Sequence, residues 1–547
     1  MTGGINNRGW LWNRQLALAG AGLVFLSFLY LSTVRDQLGD FGGDACTYIM
    51  LAENIAEGRG YEDPSMPGHF THTKYPFMFP LLLSPVVAAF GRDLLAVRIE
   101  TALMGVLSVM AWGAFFFRST SRQRALALTV LFAIHPYTFS FLTRTLSETP
   151  FLFFTGLCLY LFHRYEQEDE RKALLFCIGI AAAAYLTRTA ALPLLGALVL
   201  AMVASGRLRR RRIIGRVPDF APMLVAFAAV VLAWSAFVAL HPNPSYNYFQ
   251  ELSQVIRSGQ QLGFSPLLSR ITTNLNYYSL EIPRQMVPVL PAGSTALPAL
   301  AIPVWALIGW GMVSMLREKR LLEPAYFLAY AVMVAVWPPH LDFRFFYPLL
   351  PLFLFFMLQG LPVEKEARTR RRAFRVAFAL LCLFLLGINA TRTVQTIIAQ
   401  HTPDPYPPRP AVMFGHQINK PVIDWSHTVF AYNTPPHLFA LGEFIVLNRI
   451  AKDALPADSV IAGNKPRVTT FYTGKKAVQI PLNAAPEQAL EFLASWKVDY
   501  IIADRFSAET KNVVLPLLRK NPELFEREIG KSGKIAPAIY RFSHGMD

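Results

Sequence analysis

Apolar runs of membrane-spanning length, separated by short polar hinges, dominate the chain up to residue 399; beyond it the pattern changes to short alternating strands and helices. About 20 apolar residues carry an α-helix across a bilayer. On that measure the candidate spans are 15–34, 94–117, 125–142, 150–163, 173–186, 190–204, 220–240, 297–316, 324–337, 345–361 and 374–391, about eleven in all. The apolar run after Pro76 is interrupted by Pro80 and Pro85, which suits a helix lying at the membrane surface better than a span.

Two polar stretches stand out against this background. The first, 42–80, comes after the first span and holds Asp44, Glu53, Glu57, Asp63, His69, His72 and Lys74. It belongs to a first loop of 35–93. The second, 241–296, carries Tyr246, Tyr248, Arg270, Tyr277, Tyr278, Glu281 and Arg284, and is polar enough to form short helices that cover a site. Residues 400–441 read as a proline-rich linker. In 442–547 helical periodicity at 444–454, 486–496 and 508–519 alternates with strand patterns at 459–462, 477–480, 498–503 and 538–542, predicting a small α/β domain.

Composition agrees with a bilayer protein: 53% of residues are hydrophobic, 16% are charged and mean hydropathy is +0.33, too apolar for an ordinary soluble chain. A net charge of +16 raises the possibility of nucleic acid, but its distribution argues otherwise. The segments 118–124, 164–172, 207–216, 317–320 and 364–375 are basic and all fall on the side of the N-terminus; with it they hold roughly two dozen of the 52 Lys and Arg residues, as the positive-inside rule requires. The expected topology is therefore an N-terminus in the cytoplasm, with the first loop, the second loop and the C-terminal domain outside. A cleaved signal peptide is the alternative for 15–34, but the run is long for one and lacks a small-x-small ending. Three of the four cysteines lie in apolar runs without paired or metal-type spacing.

Asp44, about ten residues after the first span, can serve as a general base at the outer interface or can cap the helix that comes after it. Arg144, Arg188 and Arg344 sit at or near short outward hairpins, against the positive-inside trend. They either meet an anion there or pair locally, Arg144 with Glu148 and Arg344 with Asp342. His69 and His72 leave open a divalent metal ion shared with a carboxylate, against the commoner case of hydrogen-bonded loop histidines. Glu100, inside the second span, is expected to pair with Arg98 or with another helix. The sequon Asn389-Ala390-Thr391 lies in an apolar span and is discounted.

The strings Gly43-Asp44 with Tyr48, Ala52-Glu53-Asn54, Gly58-Arg59-Gly60-Tyr61, Lys74-Tyr75-Pro76, Pro80-Leu81-Leu82-Leu83 and Phe90-Gly91 resemble the first loop of the GT-C superfamily. The likeness is strongest to the polyprenyl-phosphate-sugar-dependent membrane glycosyltransferases related to protein O-mannosyltransferases and the aminoarabinose transferase of lipid A. Ser147-Glu148-Thr149-Pro150, Tyr185-Leu186-Thr187-Arg188 and Arg344 to Pro351, with Tyr347-Pro348, agree with it. The resemblance covers the membrane part and implies a polytopic α-helical GT-C fold with the small α/β domain outside. It further implies an inverting sugar transferase with Asp44 as general base and Glu148 beside it. Lys74, Arg188, Arg344 and Arg144 would hold the donor phosphate, and Tyr48, Tyr75, His72 and Tyr347 would contact substrate. The implied partners are a polyprenyl-phosphate sugar donor, membrane lipids and a glycan, lipid or protein acceptor at the outer face of an inner membrane. Two departures stand out: Lys-Tyr-Pro replaces the Lys-Pro-Pro type motif of the aminoarabinose transferase, and Ala45-Cys46 replaces the acidic pair of the protein O-mannosyltransferases, which weakens the case for a protein acceptor. Competing expectations are a metal-dependent oligosaccharyl transferase of the same fold, a lipid-linked sugar transporter and a non-catalytic scaffold.

Overall fold

The computed structural model describes residues 21–34, 43–142, 144–204, 220–243, 265–290, 293–337, 342–361, 368–401, 435–482, 484–530 and 535–543, with two short strand pairs within 212–218 and 412–417. Tyr246 and Tyr248, most of the 207–216 basic segment and the proline run 403–410 lie outside the described residues.

Four described helices are long and apolar enough to cross a membrane: Leu94–Ser119, Phe220–Leu240, Leu297–Arg317 and Phe378–Ile398, the last within a longer helix Arg368–His401. Ala21–Leu31, Thr189–Ala204, Leu322–Val336 and Tyr347–Gln359 are shorter apolar helices, and Met78–Phe90 is the short helix containing Pro80 and Pro85. Apolar side chains pointing outward from these helices, such as Ile302, Leu380 and Leu232, are exposed, as lipid-facing residues are.

The span expected over 125–142 is two helices, Arg122–Ala133 and Pro136–Leu142. Pro136 is the cause: it lacks an N–H and opens a new helix, so the first stops before it. The freed polar groups find partners, with the His135 ring bonded to Gln285 O (3.1 Å) and the Thr393 hydroxyl donating to Ile134 O (2.6 Å). The second loop also differs from the expected short helices, because 265–286 is one 22-residue amphipathic helix. Its Asn274 side chain donates to the last carbonyls of helix Leu322–Val336 and to Trp337 O, which ties the loop down on the bundle.

Close helix approaches depend on glycine. A Cβ at Gly311 would lie 2.0 Å from Phe356 O, and one at Gly156 would lie 2.8 Å from the Trp112 ring. Among the described residues Glu100 Oε2 has no hydrogen-bond partner, and Arg98, two residues away on the same helix, projects to a different side.

The polar ends of the bundle sort by charge. Arg118 bonds Glu168 (2.6 Å), Arg320 bonds Ser119 O and Glu323, and Arg124 bonds Gln359 and Leu361 O. These contacts gather the basic hinges at one end. Glu148, Arg188 and Arg344 lie at the opposite ends of helices that reach those hinges, and Asp44 of the first-loop helix meets them there.

Beyond the long helix Pro435–Ala454, strands β1 (Val460–Ala462), β2 (Lys476–Val478), β3 (Tyr500–Ala503), β4 (Phe525–Gly530) and β5 (Ala538–Phe542) form one mixed sheet in the order β2-β1-β3-β5-β4. β1, β2 and β3 are parallel and β5 runs antiparallel to β3. Two elements were not anticipated: strand β4 and helix Pro466–Thr473. One face of the sheet shares the main hydrophobic core with the bundle through Phe444, Val468, Phe471 and Ile502, so the domain is packed onto the membrane part.

Candidate active site

The first-loop helix Asp44–Ala56 begins at Gly43, whose backbone is left-handed at φ 88°, so Asp44 enters the helix with its carboxyl turned back toward the bundle. Helix Glu148–Glu168 likewise starts with an acid, placing a carboxylate at the positive end of its dipole. Arg188 lies just past the end of helix Arg171–Thr187 in extended backbone, and Arg344 lies in a 3-10 turn whose start is capped by Asp342 accepting from Arg344 N. Asp342 thus contacts the Arg344 backbone and leaves its guanidinium to reach elsewhere.

That guanidinium joins the two acids. Arg344 Nε donates to Glu148 Oε1 at 2.5 Å and Nη2 donates to Asp44 Oδ2 at 2.9 Å. Arg188 Nη1 lies 2.8 Å from Glu148 Oε1 and 3.0 Å from Ser147 Oγ, to which the Tyr48 hydroxyl also bonds. Glu148 is fully buried, and its Oε2 has no hydrogen-bond partner among the described residues. Buried polar atoms are nearly always paired, so this oxygen stands out as an exception.

Asp44 Oδ1 accepts from the Tyr75 hydroxyl at 2.6 Å and from Arg467 Nη1 at 3.2 Å. Burial pushes the Asp44 carboxyl up, but Arg344, Arg467, the Tyr75 hydrogen bond and Lys74 together outweigh it and hold the group well below the usual carboxylate range. Arg467 belongs to the C-terminal domain and was missed from sequence. Its helix carries signals that could have found it: Pro466 in the first turn, Gly474 just past the end, and Val468, Phe471 and Tyr472 at helical spacing.

Lys74, Tyr48, Tyr75, Ser147 and Arg188 line a cavity of about 310 Å³, closed on its apolar side by Trp234, Met333 and Trp337 among others. Trp234 also borders a groove of about 740 Å³ lined by Phe77, Leu81, Leu186, Val230 and Phe237. The polar site therefore opens beside an apolar trough between helices.

Other candidates lie elsewhere. Arg144 does not pair with Glu148 and sits over the Phe141 ring at 5.1 Å, away from the cavity lining. Tyr347 is buried, stacked on Phe141 at 4.2 Å. His72 is buried and uses both ring nitrogens, Nδ1 toward Asp63 (3.0 Å) and Nε2 as acceptor from Tyr75 N (3.2 Å). Burial lowers His72 from its ordinary value despite Asp63, and its two ring contacts make it a support beneath Tyr75. His69 is exposed beside Glu62 at 3.2 Å. The two histidines do not converge, and no group of three His, Cys, Asp or Glu side chains among the described residues is arranged to hold a metal ion.

Residues 74–234 match the family model described as dolichyl-phosphate-mannose-protein mannosyltransferase. No curated protein matches the chain significantly. Among solved structures, ArnT from Cupriavidus metallidurans bound to undecaprenyl phosphate aligns with TM-score 0.53 and 13% identity, over 98% of this chain and 99% of that one. The Archaeoglobus fulgidus oligosaccharyltransferase tethered to an acceptor peptide aligns with TM-score 0.51 and 15% identity, over 91% of this chain and 71% of that one. The archaeal oligosaccharyltransferase AglB of the same organism, in complex with an inhibitory peptide and a dolichol-phosphate, aligns with TM-score 0.50 and 13% identity, over 95% and 74%. Similarity at this level of identity is similarity of fold. The chain has the fold of the GT-C superfamily of membrane glycosyltransferases, to which the resemblance in its first loop also points.

Proposed function

We propose that this protein transfers a sugar from a polyprenyl-phosphate donor to a cell-envelope acceptor at the outer face of an inner membrane. The observation that carries the reading is the Arg344 bridge between Asp44 and Glu148, joined through Glu148 to Arg188, which with Lys74 lines a cavity that borders an apolar trough. The family match and the lipid phosphates bound to ArnT and AglB support a lipid-linked donor. In this reading residues 1–399 are the transferase domain with about eleven spans. The basic end of the bundle is cytoplasmic, and the first loop and the 435–543 domain are extracytoplasmic.

The chemistry comes from the charges. An acceptor hydroxyl attacks the anomeric carbon from the face opposite the phosphate, the bond from that carbon to the phosphate oxygen breaks, and configuration inverts. The hydroxyl proton goes to Asp44 and the electron pair leaves with the polyprenyl phosphate, whose charge rises from one negative to two. Lys74, Arg188 and Arg344 are placed to stabilise that growing charge. Before the donor arrives Asp44 is strongly ionised and a weak base, because Arg344 and Arg467 hold it so. When the donor phosphate draws on Arg344 and Lys74, that hold relaxes and the carboxylate gains proton affinity as chemistry begins. Glu148 holds Arg188 and Arg344 in place from behind, and Tyr48 and Tyr75 line the cavity that takes the sugar. The isoprenoid lies in the trough beside Trp234, and helix Ser265–Met286 covers the site.

Sugar transfer from a panel of synthetic polyprenyl-phosphate sugars, with the purified protein in nanodiscs, tests the proposal. Asp44→Asn keeps the size and removes the base, so turnover falls ~10²–10⁴-fold. Turnover by Asp44→Asn equal to that of the wild type overturns it.

A further inference from the structure

Arg467 has no part in the phosphate chemistry above, yet its guanidinium touches the reacting carboxylate from a separate domain. We propose that Arg467 is a positioning residue of the transfer site, and that through it the C-terminal domain completes that site by fixing which oxygen of Asp44 faces the acceptor. The inference rests on the transferase reading and adds a domain to it.

The geometry separates the two carboxylate oxygens. Oδ1 is held twice, by the Tyr75 hydroxyl at 2.6 Å and by Arg467 Nη1 at 3.2 Å, and the same Nη1 donates to Tyr75 Oη at 2.6 Å. The guanidinium also lies over the Tyr75 ring, 5.4 Å from its centre. The Tyr75 hydroxyl, accepting from a cation, becomes a stronger donor to Asp44. Among the described residues Oδ2 has one hydrogen-bond partner, Arg344 at 2.9 Å. Arg344 is the group that a donor phosphate recruits, so donor binding frees Oδ2 while Arg467 and Tyr75 keep Oδ1 fixed. One oxygen is then presented in one direction. Without Arg467 the carboxyl can turn about its Cβ–Cγ bond, and the donor-bound site loses that choice.

The approach of Arg467 is built into both partners. Gly43 is left-handed, and a Cβ there would lie 3.3 Å from Arg467 Cβ and 3.4 Å from Val468 Cγ2, so the first loop leaves room for this helix. Arg92, bidentate on Glu53, donates to Phe471 O at 3.1 Å at the far end of helix Pro466–Thr473. β2 is the edge strand of the sheet, and the first loop covers it: Ala477 N donates to Ser65 O at 2.8 Å and Lys476 Nζ to Pro64 O at 3.2 Å. The helix that carries Arg467 leaves the carboxyl end of β1, where its connection and that of β3 diverge, which is where open α/β sheets present functional groups. In this chain that edge faces the bundle.

The groups facing Asp44 are Arg344, Arg467, Tyr75 and Lys74, with Glu148 and Arg188 behind Arg344, and Asp63 near Arg467. Removing Arg467 withdraws one positive charge, so Asp44 protonates at a higher pH. Arg467→Ala, Arg467→Lys and Arg92→Ala are compared in two measurements on the full chain in nanodiscs. The first is the rate of carbodiimide labelling of Asp44, mapped by mass spectrometry at about pH 4 to 5, where the small protonated fraction of a depressed carboxyl sets the rate. Labelling is faster in Arg467→Ala and slows again in Arg467→Lys. The second is transfer kinetics, where Arg467→Ala lowers kcat up to ~10²-fold. KM for the lipid donor stays unchanged, and the acid limb of the pH profile moves upward. Arg92→Ala, which loosens the docking, moves both readouts the same way by less. Labelling of Asp44 in Arg467→Ala that is identical to wild type overturns the inference. So does a kcat loss that Arg467→Lys does not relieve at all. Labelling needs no substrate, so a wild type that transfers no sugar counts against the function and leaves the Arg467 contact to be judged on its own.

Discussion

Replacing Arg344 by alanine removes the link between the two acids. Arg344 Nε and Nη2 reach Glu148 and Asp44 at 2.5 and 2.9 Å, from a side chain 21% exposed. Glu148 keeps Arg188 at 2.8 Å and Asp44 keeps Arg467 and Tyr75, so neither charge is left alone. Breaking a buried pair outright costs about 3–5 kcal/mol; with these partners remaining, the stability loss falls at or below the lower bound, about 3 kcal/mol. The catalytic loss is separate: one preorganised donor aimed at a developing negative charge contributes ~10²–10³ in kcat, about 2.7–4 kcal/mol. Arg344→Lys recovers little, because one ammonium cannot supply two nitrogens in a planar fork to two acids. Single-turnover transfer in nanodiscs and thermal unfolding of the same samples separate the two effects. Arg344→Ala with kcat within about threefold of wild type, far less than the loss of one such donor, refutes the role given to the bridge.

The packing and charges lead to three further outcomes. Gly311→Ala forces a Cβ against Phe356 O at the contact of helices Leu297–Arg317 and Leu350–Gln359, so the unfolding temperature falls with a cost of about 1–3 kcal/mol; an unchanged temperature contradicts that packing. Glu323→Gln weakens the pairs with His163 (2.8 Å) and Arg320 (2.6 Å) at the basic end of the bundle; it lowers stability and leaves kcat unchanged, whereas a kcat loss at full stability would link that end to the chemistry. Burial raises Asp63, but the hydrogen bond and charge of His72, then Ser65 and Arg467, outweigh it and hold the carboxyl below its unfolded value. Its contribution is complete above about pH 4 and is lost as pH falls toward the lower folded value; acid unfolding of Asp63→Asn against wild type shows a shallower loss below about pH 4, and parallel curves would contradict it.

The apolar runs made the helical membrane architecture legible because lipid-facing and core-facing positions are both apolar, so length alone marks a helix. The same property hid its details. Pro136 divides 125–142, and the course of the chain after that proline is set by partners such as Gln285 O and Thr393, far away in sequence. At the site, Arg188 and Arg344 stand out as cations against the positive-inside trend, Asp44 by its place after the first span, and Glu148 and Lys74 through the family resemblance; all five share one cluster. Arg144 breaks the same trend and Tyr347 belongs to the same resemblance, yet both pack against Phe141. Arg467 offered no such contrast, being one cation in a polar domain 423 residues from Asp44; only the docking of that domain gives it meaning.

Native mass spectrometry of the lipid that co-purifies with the protein bears most directly on the central claim. The predicted result is a polyprenyl phosphate bearing a sugar, retained or enriched in Asp44→Asn, where it binds without turning over, and lost in Lys74→Ala and Arg188→Ala. An isoprenoid phosphate bound equally by all four proteins, or none bound by any, would contradict a phosphate site built from Lys74, Arg188 and Arg344.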